Sequence, residues 1–176
     1  MISTEFTISL DGFVARPNDD ITNIFGWYTS GDTEFSIEGA PTFRVSCASA
    51  DFLQENWSKA GAIVTGRRDY DVSNAWGGKA ILGLPMFIVT HSAPEAWIGP
   101  NSPFTFVTDG VASAIEQAQT AAGDKTVGVG GTQIVQQGLR AGIIDQIMLH
   151  QVPVLLGAGI RLFDKLGLEP IKLDKL

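Results

Sequence analysis

The stretch Thr126-Val-Gly-Val-Gly-Gly-Thr-Gln-Ile-Val-Gln-Gln-Gly-Leu139 constrains this chain most: an apolar run meets a glycine pair and continues with helical periodicity. It reads as strand, tight turn and helix. At Gly130-Gly131 the missing Cβ atoms let a ligand approach the backbone, and the helix's unpaired N–H groups and positive dipole end face that ligand, a geometry suited to phosphate. Glycine pairs also end strands for purely structural reasons, so a second anion site is needed. Gly61-Ala-Ile-Val-Thr-Gly-Arg-Arg-Asp-Tyr-Asp71 supplies one, an apolar run ending in Gly66 and followed at once by Arg67 and Arg68. These are two of only 12 basic residues in a chain of net charge −7. Adjacent guanidiniums repel. They are tolerable at a solvated corner and favourable when a nucleotide phosphate lies between them and helix N–H groups.

Length and composition bound the rest. A chain of 176 residues with 44% hydrophobic and 18% charged content is enough for one sizeable core, and a single domain over residues 1–176 is expected. No apolar stretch approaches the roughly 18 residues that span a bilayer, and Met1-Ile-Ser-Thr-Glu-Phe6 lacks the basic flank and apolar core of a signal peptide. These features predict a soluble, cytoplasmic protein. The single cysteine, Cys47, has no intrachain disulfide partner and reads as a small, partly buried thiol. The acidic balance, without lysine-rich or aromatic-basic tracts, argues against nucleic acid or anionic membrane as partner and for a small molecule.

Along the chain, Phe6–Leu10 alternates as a half-buried strand, Asp11-Gly12 turns, and Phe13-Val14-Ala15 follows. Residues 21–41 form a long irregular excursion with room for a short helical turn. A helix is predicted over 48–59, with Ser49 or Asp51 helping to start it, then strands at 62–65, 85–90 and 104–107. A helix over 110–122, the opening strand and its helix to Ala141, a long strand from 145 broken at Pro153 and resumed near 154–156, and a turn at 157–159 come next. Residues 160–163 are strand-like, and Ile171-Lys-Leu173 is a candidate last strand. Strands alternating with helices indicate an α/β domain with a largely parallel sheet and an antiparallel edge.

Read in order, Ser9-Leu-Asp-Gly-Phe-Val-Ala15, Gly66-Arg-Arg-Asp-Tyr-Asp71, Val89-Thr-His91, Val129-Gly-Gly131 and Val152-Pro-Val-Leu-Leu-Gly-Ala-Gly159 resemble the dihydrofolate-reductase-like family, in its branch holding the reductase domain of riboflavin biosynthesis. The resemblance runs from about Phe6 to Asp164. It implies a three-layer α/β/α dihydrofolate-reductase-like fold with a mixed, mostly parallel sheet and an antiparallel C-terminal edge, and NADPH bound along the carboxyl ends of the parallel strands. By the same resemblance Gly66, Arg67 and Arg68 receive the cofactor's phosphates, with Asp69 standing where Thr is common. Thr90 and His91 close the strand at the adenosine end, where His91 is either a contact to the 2′-phosphate or a lone surface histidine. Gly130, Gly131, Thr132 and Gln133 cradle the pyrophosphate, with a cis peptide in the glycine pair. Val14, Ala15, Leu156 and Gly157 pass the nicotinamide.

For the reductase half, hydride transfer asks mainly for positioning, exclusion of water and a proton source. Asp11 and Asp51 are the candidates for proton delivery, Asp11 also reading as a simple turn-former. Counting back from Gly66, the position of the folate reductases' pterin-binding carboxylate falls on Ala50, one residue from Asp51. Trp27, Phe52, Glu55 and Leu155 are candidate substrate contacts, although large aromatics beside a core helix are more often simply core. Trp76 is expected to seal the Gly77-Gly78 turn, and His150 to be a satisfied sheet residue. The sequence shows no nucleophilic triad, and no zinc-ligand pattern of the deaminase domain that accompanies the riboflavin reductase in fused enzymes. Relatives finish with another strand where this chain stops at Asp174-Lys-Leu176, which leaves a sheet edge and predicts a homodimer. The leading expectation is an NADPH-dependent reductase of a small planar heterocycle, pterin-like or ribityl-aminopyrimidine-like. The alternative is a non-catalytic NADP(H)- or nucleotide-binding sensor or sequestering protein on the same fold.

Overall fold

In the computed structural model, which describes residues 1–95, 99, 101–164, 166–167 and 169–174, one six-stranded sheet organises the chain. The strands and helices in order are β1 (Ile2–Ser9), β2 (Phe13–Ala15), β3 (Thr33–Phe35), β4 (Phe43–Val45), α1 (Cys47–Trp57), β5 (Ala60–Gly66), α2 (Arg67–Val72), β6 (Met86–Val89) and β7 (Phe104–Val107). They continue with α3 (Val111–Ala122), β8 (Thr126–Val129), α4 (Thr132–Arg140), β9 (Gln146–Val152) and β10 (Ile160–Arg161). The six-stranded sheet runs β7-β6-β5-β8-β1-β9, and every pairing within it is parallel. The antiparallel pairings occur in two small sheets, β10 with β2 and β3 with β4.

Strand alternation divides the core. Ile2, Ile8, Ala62, Val64, Phe87, Val127 and Val129 pack against α3 and α4 on one face. The intervening Ile63, Met86 and Ile88 face Tyr70, Ala75 and Phe104 on the other. Helix α1 covers that second face through Ala50 and Leu53, against Phe35, Val45 and an aromatic shell of Trp27, Tyr28, Phe43, Phe52 and Trp57. The predicted three layers therefore stand. No helix among the described residues is long and apolar enough to cross a membrane.

Several expectations are corrected. The excursion over 21–41 holds a 3₁₀ turn at Phe25–Tyr28 and also strand β3, whose partner β4 lies beyond the excursion; neither strand was anticipated, because each has only three residues and too little periodicity to register. Helix α1 is capped by Ser46, whose hydroxyl accepts the N–H of Ser49 at 3.1 Å, rather than started by Ser49 or Asp51. Cys47, at its first position, is exposed. Strand β9 stops at Val152, and 154–156 do not resume it: Pro153 has no N–H to donate, and Val154 N turns back onto the Val152 carbonyl at 2.8 Å. Residues 171–173 form no strand. The described peptide bonds are all trans, Gly130-Gly131 included. Gly131 makes that corner with φ +76°, a conformation a glycine reaches without isomerisation.

Candidate functional site

Strand β8 fills the slot between β5 and β1, although the chain reaches it only after building β6 and β7 outward from β5. Such a reversal leaves a crevice at the strands' carboxyl ends. Its dimensions follow from register. Ser3 pairs with Gly128, and the next pair is marked by Thr4 Oγ1 donating to the Val129 carbonyl at 2.7 Å. There β8 ends, while β1 continues from Glu5 to Ser9 in register with β9. Gly130-Gly131 floors the notch that remains, with Gly130 N donating to Val64 O at 2.8 Å.

The two glycine corners predicted from sequence meet at this floor. A Cβ built on Gly131 would lie 3.2 Å from Asp69 Oδ2, 3.3 Å from Gly66 N and 3.4 Å from Thr65 Oγ1. Helix α4 starts at Thr132 with no side chain capping its N-terminus, so its first N–H groups are left for a ligand or water. Helix α2 has only six residues, so positive charge at its corner comes from its arginines rather than from a long dipole. Arg67 donates to Asp71 Oδ1 at 2.8 Å and to the Ser92 carbonyl at 3.0 Å. Buried Thr90 donates to that same carbonyl at 2.9 Å, so the Arg67 and Thr90 corners converge on Ser92, and His91, next in the chain after Thr90, is exposed. Arg68 is held by Asp19, from the loop after β2, through two bonds of 2.8 and 2.9 Å.

Asp69 was singled out only as a departure from the family's threonine. Its carboxylate accepts the Thr65 hydroxyl at 2.7 Å and lies against the diglycine corner. Burial raises its pKa first, with the Asp19 charge adding to the rise, while the Thr65 bond and Arg68 oppose it. A carboxylate therefore stands where a pyrophosphate is expected.

The structure brings some other candidates together and separates others. Asp11 accepts Ser9 Oγ at 2.7 Å, Leu156 N at 3.1 Å and Gly157 N at 2.7 Å. These bonds hold its pKa at about 2, the Ser9 hydroxyl contributing most. An ionised, fully engaged carboxylate ties the 156–157 loop to the end of β1 and carries no proton at neutral pH. Gly159 lets the same loop approach β2, since a Cβ there would overlap the Ala15 carbonyl oxygen. Val14 and Ala15 are buried, Ala15 meets Gly159, and Leu156 and Gly157 are held by Asp11, while Leu155 is 70% exposed. Asp51 is exposed near Cys47 Sγ, and exposed Glu55 pairs with Lys59 at 2.8 Å, so neither reaches the sheet floor. A cleft of about 340 Å³ continues from Thr132 and Gln133 along Gln136, bounded by Gly159 and Arg161.

Trp27 and Phe52 meet at His150. The imidazole stacks on Trp27 at 4.8 Å and takes the edge of Phe52 at 5.1 Å. Its Nε2 lies 2.7 Å from Glu5 Oε1, while Glu5 Oε2 accepts Trp57 Nε1 at 3.2 Å and Trp27 Nε1 donates to Thr7 Oγ1 at 3.1 Å. Glu5 was missed; its signal is a charged residue within a strand, beside apolar Phe6 and two residues before buried Thr7. His150 was read as a satisfied sheet residue, and its partner is this carboxylate.

The all-parallel sheet, the reversal of strand order at β8 and the diglycine cleft at that switch point define an α/β protein of the dihydrofolate-reductase-like type. The chain belongs to the RibD C-terminal domain family, whose model matches residues 1–176. Among solved structures it is similar to a putative riboflavin biosynthesis protein from Shewanella sp. PV-4, at 18% identity and TM-score 0.69, covering 96% of this chain and 85% of that one. It is also similar to a diaminohydroxyphosphoribosylaminopyrimidine deaminase/5-amino-6-(5-phosphoribosylamino)uracil reductase from Thermotoga maritima, at 13% identity and TM-score 0.58. That match covers 97% of this chain and 50% of the Thermotoga protein, so this chain spans half its length. No curated protein matches the chain.

Proposed function

We propose that this protein is an NADPH-dependent reductase of a small planar nitrogen heterocycle, pterin-like or ribityl-aminopyrimidine-like. The observation that carries the reading is the contact of the two corners: Gly66 N lies 3.3 Å from the position of a Gly131 Cβ, so one dinucleotide could lie across both. The uncapped α4 N-terminus and the missing Cβ atoms of Gly130-Gly131 fit close approach of a diphosphate, which the Asp69 carboxylate at the same corner opposes. Thr132 and Gln133 would offer backbone N–H groups, Arg67 with Thr90 and His91 would take the adenosine side, and Arg68 would hold the loop through Asp19. Val14, Ala15, Leu156 and Gly157 would wall off water around the nicotinamide. When bound, the cofactor supplies the hydride. The family and the naming of the Thermotoga protein as a reductase support this chemistry. A cytosolic location and a small-molecule partner go with it, since net charge −7 disfavours polyanions.

The second reading, a nucleotide-binding sensor or sequestering protein, is favoured by one observation: Asp69 puts negative charge beside the cradle. One experiment separates the two. NADPH is titrated by quenching of tryptophan fluorescence, and its absorbance is then followed with a panel of pterins and aminopyrimidines. Saturable binding with oxidation by at least one acceptor is expected; binding without any oxidation selects the sensor, and no binding removes both.

We also propose a homodimer. Among the described residues β9 pairs only with β1, which leaves its outer edge open, and Leu149, Phe163, Ile171 and Leu173 are exposed on or near it. Phe163, Ile171 and Leu173 line an apolar groove of about 360 Å³ together with Leu139 and Ile147. Light scattering at micromolar concentration is expected to give twice the chain mass of 18.8 kDa. A mass of one chain would exclude the dimer.

A further inference from the structure

We infer that Glu5 and His150 form the proton-donating couple of the heterocycle site, an assignment that rests on the reductase reading. The helix that covers this face offers no acid to the floor, since Asp51 and Glu55 both point their charge to solvent. The floor supplies its own. Glu5 follows the end of β8 on β1, so it borders the notch, and His150 lies two register steps further along β9, opposite Thr7. Both side chains are about one fifth exposed, at 20% and 19%, so they are sheltered but not sealed. Trp27, stacked on Tyr28 at 4.1 Å and on the imidazole at 4.8 Å, and Phe52, edge-on to the imidazole at 5.1 Å, fix the ring between them.

The chemistry follows from which ring nitrogen is occupied. Nε2 is held by Glu5 Oε1 at 2.7 Å, which occupies that nitrogen and fixes the ring's orientation. Nδ1 is then the nitrogen that exchanges a proton with a ligand. As a hydride from the reduced nicotinamide reaches the carbon of a ring C=N bond, the π pair moves to nitrogen. That nitrogen takes the proton from Nδ1, leaving neutral imidazole, which solvent reprotonates. Among the described residues Tyr28 also lies within reach of Glu5, and its pKa is raised by burial first and then by the Glu5 charge, so it stays neutral. From α1 come only Phe52 and Trp57. His150 would thus be a catalytic residue and Glu5 a positioning residue.

The chain contains only 2 histidines, so the imidazole nitrogens can be followed individually by NMR, with His91 as internal control. Protein saturated with NADP⁺ is titrated with pterin and with a diaminouracil across pH. Either heterocycle is expected to shift the His150 nitrogen resonances while leaving those of His91 unchanged. His150→Gln is expected to keep NADPH affinity within about twofold, to slow single-turnover hydride transfer about a hundredfold and to flatten its pH profile. Glu5→Gln should displace that profile rather than abolish it. If NADPH binds but no heterocycle perturbs His150 in the unmodified protein, the couple is structural and the assignment falls while the cofactor reading stands. If NADPH itself does not bind, the reductase reading falls and takes this assignment with it.

Discussion

Gly131→Val is expected to weaken NADPH binding by about a hundredfold or more while the protein still folds. Gly131 has φ +76°, and the Cβ it lacks would lie 3.2 Å from Asp69 Oδ2, 3.3 Å from Gly66 N and 3.4 Å from Thr65 Oγ1. All three distances are at or inside the tight end of real Cβ contacts, so the corner must shift. Valine would fill the space between the two corners and tilt the first N–H groups of α4. A hundredfold loss corresponds to about 2.7 kcal/mol, plausible for removing several aligned donors from a charged ligand. The positive-φ strain adds about 1–3 kcal/mol of destabilisation, or a midpoint lowered by several degrees for a chain of this size. Fluorescence titration and thermal unfolding measured on the same sample separate the two effects. Undiminished binding in a folded variant would mean that no dinucleotide crosses this corner.

That the corner could be found before any coordinates reflects where the constraint is local. A glycine pair between an apolar run and a helix-period run also ends strands for structural reasons, but Gly66 ahead of two arginines makes a second corner of the same design, and both corners are written in adjacent residues. The parallel strands β5, β6, β7 and β8 are short apolar runs separated by helices or turns, so their limits come within a residue or two of the predicted ones. The β3–β4 hairpin was hidden because its apolar residues, Phe35, Phe43 and Val45, gain meaning only once α1 packs on them. The Glu5–His150 couple was equally hidden: its members are 145 residues apart and meet only through the β1–β9 register. Asp11 was visible as a residue but not in its role, because the N–H groups it accepts come from a loop 145 and 146 positions away. Local geometry is written in neighbouring residues, whereas the partners of a charged group depend on how distant strands align.

Asp69→Asn is expected to tighten NADPH binding by about tenfold or more at neutral pH and to remove the part of its pH dependence that Asp69 contributes. The carboxylate lies against the cradle, and two unit charges about 4 Å apart repel by roughly 4 kcal/mol at the effective dielectric of a partly solvated site. Screening and movement of the side chain reduce that figure, so a tenfold change, about 1.4 kcal/mol, is the conservative expectation. Asparagine keeps an oxygen to accept the Thr65 hydroxyl, which preserves the corner's shape. The sign with pH follows from the raised pKa of Asp69, caused first by burial. A carboxyl group raised in the folded state binds more protons there than in the unfolded chain. Its contribution to stability is therefore present at low pH and is lost as pH rises above the ordinary value of 3.8 and through the raised one. NADPH affinity should move the same way, increasing as Asp69 is neutralised. The ligand's own phosphate also titrates, so the informative quantity is the ratio of variant to unmodified affinity across pH. That ratio is expected to approach unity in acid and to grow toward neutrality; a ratio of one throughout would place the diphosphate away from Asp69 and separate the cradle from the cofactor.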